Sequence, residues 1–153
     1  LKWPNDLIVG GKKVGGMLSE ARIDAERMRD LIFGLGININ SNCELWPESV
    51  STTATSLKEF LGKSLNINAL VAILVGEGHR AYRQYCDGGI EECFMSRWEA
   101  YDVLKDAPVV VNPKSDSLYG TAGGINADGA LILHTEDGCS QVLHSGEVTL
   151  RVR

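Results

Sequence analysis

The chain has 153 residues, enough for one ordinary domain or for one domain and a small module. Its 44% apolar and 23% charged shares are those of a globular protein. A formal charge of −5 gives no basic footprint for nucleic acid, and the longest apolar run, Ala69 to Val75, is too short to span a bilayer.

The first five-residue block, Lys2-Trp3-Pro4-Asn5-Asp6, opens with a stiff turn. Pro4 fixes its own φ and pushes Trp3 towards an extended conformation. Leu7-Ile8-Val9 reads as a strand, and Gly10-Gly11 as a two-residue hairpin turn, because both positions tolerate positive φ. The return strand, Lys12 to Glu20, runs back past Asn5 and Asp6 and can bring the Asp6 carboxylate to the Lys13 ammonium. An exposed ion pair on a surface hairpin would fit the same spacing and contribute little stability.

The polar stretch holding Asp24, Glu26, Arg27, Arg29 and Asp30 reads as a solvated connection, and a second long strand runs from Leu31 to Asn40. Ser56 and Glu59 have capping-box spacing, and Leu57, Phe60 and Leu61 give one helical turn an apolar face. A longer helix starts after Asn68, an N-cap residue type, with Leu70, Ile73, Leu74, Ala81, Tyr82 and Tyr85 on one side. Gly76 and Gly78 weaken it, and Gly88-Gly89 stops it. A shorter helix, Ile90 to Tyr101, places Phe94, Trp98 and Tyr101 on one face.

From Ala107-Pro108 the texture changes to short β segments: Val109 to Val111, Leu118 to Ile125, Ala130 to Thr135 and Gln141 to His144. The turns between them are Asn112-Pro113, Asn126-Ala127-Asp128-Gly129 and Glu136-Asp137-Gly138. Strands packed this densely predict a small barrel. A module this small buries too little surface to stand alone, so it is expected to pack on the larger domain. The division falls between residues 1–105 and 106–153.

Cys43, Cys86, Cys93 and Cys139 form no Cys-x-x-Cys pair and read as free thiols in a reducing compartment. His79, His134 and His144 lie far apart and make no metal-ligand pattern. Gly34-Leu35-Gly36 lacks the third glycine and following helix of a dinucleotide fingerprint. Its glycines either form a structural bulge or let a ligand approach backbone closely.

Three blocks in order resemble the biotin–protein ligases of bacteria: Lys2-Trp3-Pro4-Asn5-Asp6, Gly11-Lys12-Lys13-Val14-Gly15-Gly16-Met17-Leu18-Ser19-Glu20, and Gly34-Leu35-Gly36-Ile37-Asn38-Ile39-Asn40. The resemblance continues through Ser96-Arg97-Trp98-Glu99 to Ser145-Gly146-Glu147-Val148-Thr149-Leu150-Arg151 and covers essentially the whole chain. Gly15 and Ser19 depart mildly from the commonest pattern. The family's Gly-Arg-Gly-Arg-type loop, which closes over biotin, does not occur here. The chain is therefore expected to be the C-terminal part of a longer ligase and inactive alone.

The resemblance implies an α+β protein: part of a mixed α/β catalytic core of the class II aminoacyl-tRNA-synthetase/biotin-ligase type, then a Src-homology-3-like β-barrel. It implies ATP-dependent formation of biotinyl-5'-adenylate and transfer of biotin to a lysine of the biotin carboxyl carrier protein. ATP, biotin and Mg²⁺ are the implied small molecules. Lys13 takes the place of the family's essential lysine. A fixed cation there offsets repulsion between the biotin carboxylate and the α-phosphate. Lys12, on the opposite face of the strand, is expected to point to solvent.

Asp6 is the second catalytic candidate, either handling Mg²⁺ or holding Lys13. Biotin is expected against Lys13, Leu18, Gly34 and Gly36, and ATP or the adenylate against Asn5, Asn38 and Arg151. Asn38 can donate and accept together at the edge of adenine. Asn5 fits a nucleotide contact or a purely turn-shaping role equally well. Arg151, which shares a strand face with Glu147, fits a phosphate contact or an interdomain salt bridge.

Further expectations are a cytoplasmic location and no membrane partner, and the core strands offer an edge through which a homodimer could form. DNA binding is expected only if a separate N-terminal domain precedes this stretch. The alternatives are a lipoate–protein ligase-like enzyme, or an inactive remnant serving as a carrier-docking or dimerisation module.

Overall fold

The computed structural model describes residues 1–24, 27–112 and 116–150, with side chains left out at residues 23, 27, 28 and 90–93. The chain forms two compact units: Asn5–Val71, and Leu1–Pro4 together with Ala72–Arg153. The fold is α+β.

In the first unit, β1 (Asp6–Val9), β2 (Lys12–Asp24) and β3 (Arg27–Ile37) make an antiparallel sheet in that order. Gly10 and Gly11 both take positive φ (56° and 76°), as a two-residue hairpin requires. Both long strands extend beyond their expected limits. The polar stretch from Asp24 to Asp30 is largely hairpin rather than a loose connection, although Glu26 lies outside the described residues. Opposite charges face each other there: Arg22 lies across from Asp30, and Arg29 bonds Asp24 at 3.4 Å. Such cross-strand pairs let a sheet continue through sequence too polar for a core. At its other end β3 stops at Ile37, short of the expected Asn40.

After β3 come a 3-10 turn (Cys43–Leu45), α1 (Glu48–Ser51) and α2 (Leu57–Leu61). Neither of the first two was expected from the sequence. The α2 cap is the one expected: Ser56 Oγ accepts the Glu59 N–H at 3.2 Å, and Gly62 closes the helix in the left-handed region. Ser56 is fully buried, and its hydroxyl also donates to the Ser41 carbonyl at 2.8 Å. Ser56→Ala strands both groups and is expected to cost about 1–2 kcal/mol. A urea-denaturation midpoint unchanged from the parent chain would show that the cap carries no such weight.

α3 (Ile67–Tyr101) is interrupted at Gly89 (φ 69°, ψ −167°), where the glycine pair was expected to end a helix. Asn66, not Asn68, caps it, its Oδ1 accepting the Ala69 N–H at 3.1 Å. Asn66 is thus the non-helical residue three before that N–H, as a cap must be, while Asn68 lies within the first turn. Along the expected apolar stripe Leu70, Leu74 and Ala81 are half-buried, whereas Ile73, Tyr82 and Tyr85 are exposed. No helix among the described residues is long and apolar enough to cross a membrane.

The second unit contains β4 (Pro108–Val111), β5 (Leu118–Ile125), β6 (Leu131–Thr135), β7 (Ser140–Leu143) and β8 (Val148–Leu150). They form an antiparallel sheet in the order β7-β6-β5-β4-β8. Alternate residues face one core: Val109, Val111, Ala122, Leu131, Leu133 and Val148, joined by Leu104 and Trp3. Full burial of each large apolar side chain contributes roughly 1.5–3 kcal/mol.

Asn112 adopts φ 54°, which asparagine tolerates. Its N–H donates to the Glu147 carbonyl at 2.7 Å, and its Oδ1 accepts the Glu147 N–H at 3.1 Å, which pins β8 beside β4. The expected Asn112-Pro113 turn falls partly outside the described residues, since Pro113 is not among them. In the β6–β7 turn, the Thr135 hydroxyl and then the Cys139 N–H hold the Asp137 carboxyl below its ordinary range. Cys43, Cys86 and Cys139 are free thiols, and the side chain of Cys93 is not described.

Candidate functional site

The hairpin delivers the two charges to one face. Successive strand residues alternate, so Asp6 and Ile8 point the same way, and Lys13 lies across from Ile8. Asp6 and Lys13 are therefore diagonal neighbours, and Lys13 Nζ sits 2.5 Å from Asp6 Oδ1. The carboxylate side is 18% exposed and the lysine 50%, so the ammonium is held on one side and open on the other. At this exposure the pair contributes little stability, and what it fixes is a position.

A β-bulge lies between Leu7 and Ile8 in the register, and it sets Val14 aside as an extra residue, buried at 5%. The alternation of β2 restarts there. Gly16, opposite Asp6, then faces the same side as Lys13; a Cβ on it would lie 3.6 Å from Asp6 Oδ1 and 3.7 Å from Lys13 Cε. Leu18 follows two residues on. Gly36 pairs with Gly16, and Gly34 with Leu18. Lys13, Asp6, Leu18, Gly34 and Gly36 thus share one face of a sheet whose middle, at Gly16, Gly34 and Gly36, carries no side chains.

The backbone of Lys13 is gripped from the edge opposite β1. Its N–H donates to the Thr53 carbonyl at 2.9 Å, and its carbonyl accepts the Thr55 N–H at 2.8 Å, a parallel bridge centred on Ala54. This second support was not anticipated, because no periodic pattern marks residues 53–55. Lys12 points the other way and donates from Nζ to the Ser51 carbonyl at 2.7 Å, so it is tethered to α1 rather than simply solvated.

The two asparagines do structural work. Asn5 Nδ2 donates to the Met17 carbonyl at 2.6 Å while the Met17 N–H returns to the Asn5 carbonyl at 2.9 Å. Asn5 thus shapes the turn, and its second amide N–H and its oxygen are what it could offer a ligand. Asn38 Nδ2 donates to the Thr55 carbonyl at 3.1 Å, its N–H to the Val14 carbonyl, and its own carbonyl accepts from Leu57. One proton of its amide is thus committed to holding the 53–57 segment, and the second N–H and the oxygen are what it could offer a ligand. Arg151 lies outside the described residues. Among the described residues no group of three or more His, Cys, Asp or Glu side chains could hold a metal ion. That leaves Asp6 as a single carboxylate, a donor set suited to Mg²⁺ only when phosphate oxygens supply the rest.

Comparison with known proteins gives a consistent result. The sequence model of the Biotin/lipoate A/B protein ligase family matches residues 1–38, and that of the Biotin protein ligase C terminal domain matches residues 108–151. The Bifunctional ligase/repressor BirA of Bacillus spizizenii is 29% identical over 150 residues, 98% of this chain and 46% of its own length. The Biotin--[acetyl-CoA-carboxylase] ligase of Paracoccus denitrificans is 26% identical, over 97% of this chain and 61% of its own. The apo structure of a biotin protein ligase from Aquifex aeolicus superposes with a TM-score of 0.83 at 28% identity, covering 99% of this chain and 64% of that one. The same ligase in complex with biotin and ATP gives 0.79 at 26% identity. The chain spans about half the length of the first of these relatives.

Proposed function

The chain belongs to the biotin–protein ligase family, and from that premise we propose that it supplies the adenylation lysine and the C-terminal module of an ATP-dependent biotin–[biotin carboxyl carrier protein] ligase. The observation that carries this reading is the Lys13 ammonium, fixed by Asp6 at one end of a side-chain-free strip of sheet. Biotin lies along Gly16, Gly34 and Gly36 beside Leu18, with its carboxylate towards Lys13.

In the first half-reaction a carboxylate oxygen of biotin attacks the α-phosphorus of ATP. The bond to the β-phosphate oxygen breaks, and pyrophosphate leaves with the electron pair. Lys13 stabilises the charge that grows on the phosphoryl oxygens, and Asp6 keeps the ammonium from swinging into solvent. In the second half-reaction a carrier lysine amine attacks the acyl carbon, AMP departs with the bonding pair, and the amine loses a proton. Asn38 binds the nucleotide, a role the family resemblance gives also to Asn5 and Arg151. Asp6 would hold Mg²⁺ together with the phosphates, and the ion would supply further charge neutralisation.

In this reading the 106–153 segment is a Src-homology-3-like barrel that follows, in sequence, a partial core of the class II synthetase type. The protein acts in the cytoplasm. Homodimerisation through a strand edge is compatible with this reading, and DNA binding belongs to it only if a separate N-terminal domain precedes this stretch.

The test joins this chain to the N-terminal portion of the Aquifex aeolicus ligase and follows ATP–pyrophosphate exchange. Exchange that depends on biotin and is indifferent to lipoate is the expected result. Exchange driven equally by lipoate would move the assignment to the lipoate ligases. Carrier binding with no exchange would leave a docking module.

A further inference from the structure

Residues 53–55 meet β2 at an isolated bridge, one residue pair (Lys13 with Ala54) and two hydrogen bonds. Strand pairing draws its stability from successive cross-strand pairs, and a single pair has no neighbouring rungs to share the load. What keeps the segment on Lys13 must come from its other contacts. At one end the Thr53 and Ala54 N–H groups donate to the Val50 carbonyl at 3.0 and 2.8 Å. At the other the buried Ser56 hydroxyl donates to the Ser41 carbonyl at 2.8 Å. Between them, the Thr55 carbonyl is held by a side chain.

That side chain is Asn38, whose Nδ2 donates to Thr55 at 3.1 Å; both residues are half-buried. The Asn38 N–H donates to the Val14 carbonyl at 2.8 Å, and its carbonyl accepts the Leu57 N–H at 2.8 Å. These contacts close a ring within the Asn5–Val71 unit. It runs from the Lys13 carbonyl to the Thr55 N–H, and from the Thr55 carbonyl to the Asn38 amide. The Asn38 N–H then returns it to β2 at Val14, the residue after Lys13. In a closed ring no bond lengthens unless its neighbours give way, so holding Thr55 also holds the Lys13 peptide.

We propose that Asn38 is a positioning residue for Lys13: its side-chain N–H, through the Thr55 carbonyl, keeps residues 53–55 on the backbone of the lysine. This role is separate from a nucleotide contact, which would use the second N–H and the oxygen of the amide. The lysine is then held from both edges of β2, its ammonium by Asp6 and its peptide by the segment that Asn38 holds. The inference rests on the reading of Lys13 as the adenylation cation only for its consequence. Its test reads hydrogen bonds and needs no substrate, so its failure would leave that reading standing.

The experiment measures NMR scalar couplings across hydrogen bonds in the isotope-labelled 153-residue chain. The parent is expected to show a coupling from Asn38 Nδ2 to the Thr55 carbonyl carbon, with those from Lys13 N to Thr53 and from Thr55 N to Lys13. Asn38→Asp keeps the shape of the side chain and sets an acceptor where the donor stood; Asn38→Ala deletes the amide. Both are expected to lose the two Lys13 couplings. The couplings from the residue-38 N to Val14 and from Met17 N to Asn5 are expected to persist, showing that β2 keeps its other neighbours. Asn40→Ala is the control, since Asn40 holds the Leu65 N–H and carbonyl at 2.9 Å each and does not touch residues 53–55. It is expected to leave the Lys13 couplings at their parent size. Lys13 couplings that survive in Asn38→Asp, or that are lost as fully in Asn40→Ala, would overturn the proposal. So would a parent chain without the Asn38–Thr55 coupling, a result that is read even if no variant folds.

Discussion

Lys13→Ala, introduced into an active ligase that contains this chain, is expected to lower biotin-dependent ATP–pyrophosphate exchange by about 10²–10³-fold, the usual cost of removing one fixed charge-stabilising group. Lys12→Ala is expected to leave the rate near that of the parent. The two side chains are adjacent in sequence and opposite in space. One ammonium meets Asp6 beside the glycine strip, and the other meets the Ser51 carbonyl at the end of α1. Asp6→Asn keeps an acceptor oxygen but loses the counter-charge, and it should fall between the two. Measuring all three in one preparation separates a site from an arbitrary charge: equal losses for Lys12→Ala and Lys13→Ala would remove Lys13 from the mechanism.

Gly15→Ala is expected to lower the melting midpoint by roughly 5–10 °C, from an overpacking cost of about 1–3 kcal/mol. A Cβ at this position would sit 2.4 Å from the Gly36 carbonyl oxygen and 3.2 Å from the Ile37 Cα, both backbone atoms of the paired strand. No rotamer change relieves that contact; β2 and β3 have to part where the candidate site is built. Gly78→Ala is the matched opposite. It lies within α3 with nothing inside 4 Å of an added Cβ, so it should raise stability by up to about 1 kcal/mol through helix propensity. Differential scanning calorimetry of the two variants checks the signs. A neutral Gly15→Ala would mean that the strands separate there at no cost.

What the sequence made legible was local and chemical. Gly10-Gly11 announced the first hairpin, Ser56 and Glu59 the cap of α2, and the short segments punctuated by turns after Pro108 the strands of the second sheet. The Lys13–Asp6 pair followed from the hairpin alone. Less legible were contacts made by groups with no periodic signature. The length of the β2–β3 hairpin depends on Arg22–Asp30 and Asp24–Arg29 meeting across strands, and charge-rich sequence reads as solvated until its partner strand is known. The segment from Thr53 to Thr55 grips Lys13 through backbone atoms, which any residue provides. Asn38 reads as an adenine contact and Asn5 as a nucleotide contact or a turn residue, and the structure adds that each spends one amide proton on a neighbouring carbonyl. Trp3 looked like part of a stiff turn, and its burial depends on residues more than a hundred positions away.

The parallel bridge at Ala54 also turns one amide into a clock. The Lys13 N–H has the Thr53 carbonyl as its acceptor, and the Thr55 N–H has the Lys13 carbonyl as its own. Both protons become open to solvent deuterium only when residues 53–55 lift away from β2, whatever the rest of the sheet is doing. Their exchange rates therefore time the opening of one loop, at the residue proposed as the adenylation cation, in a protein that needs no ligand to be read.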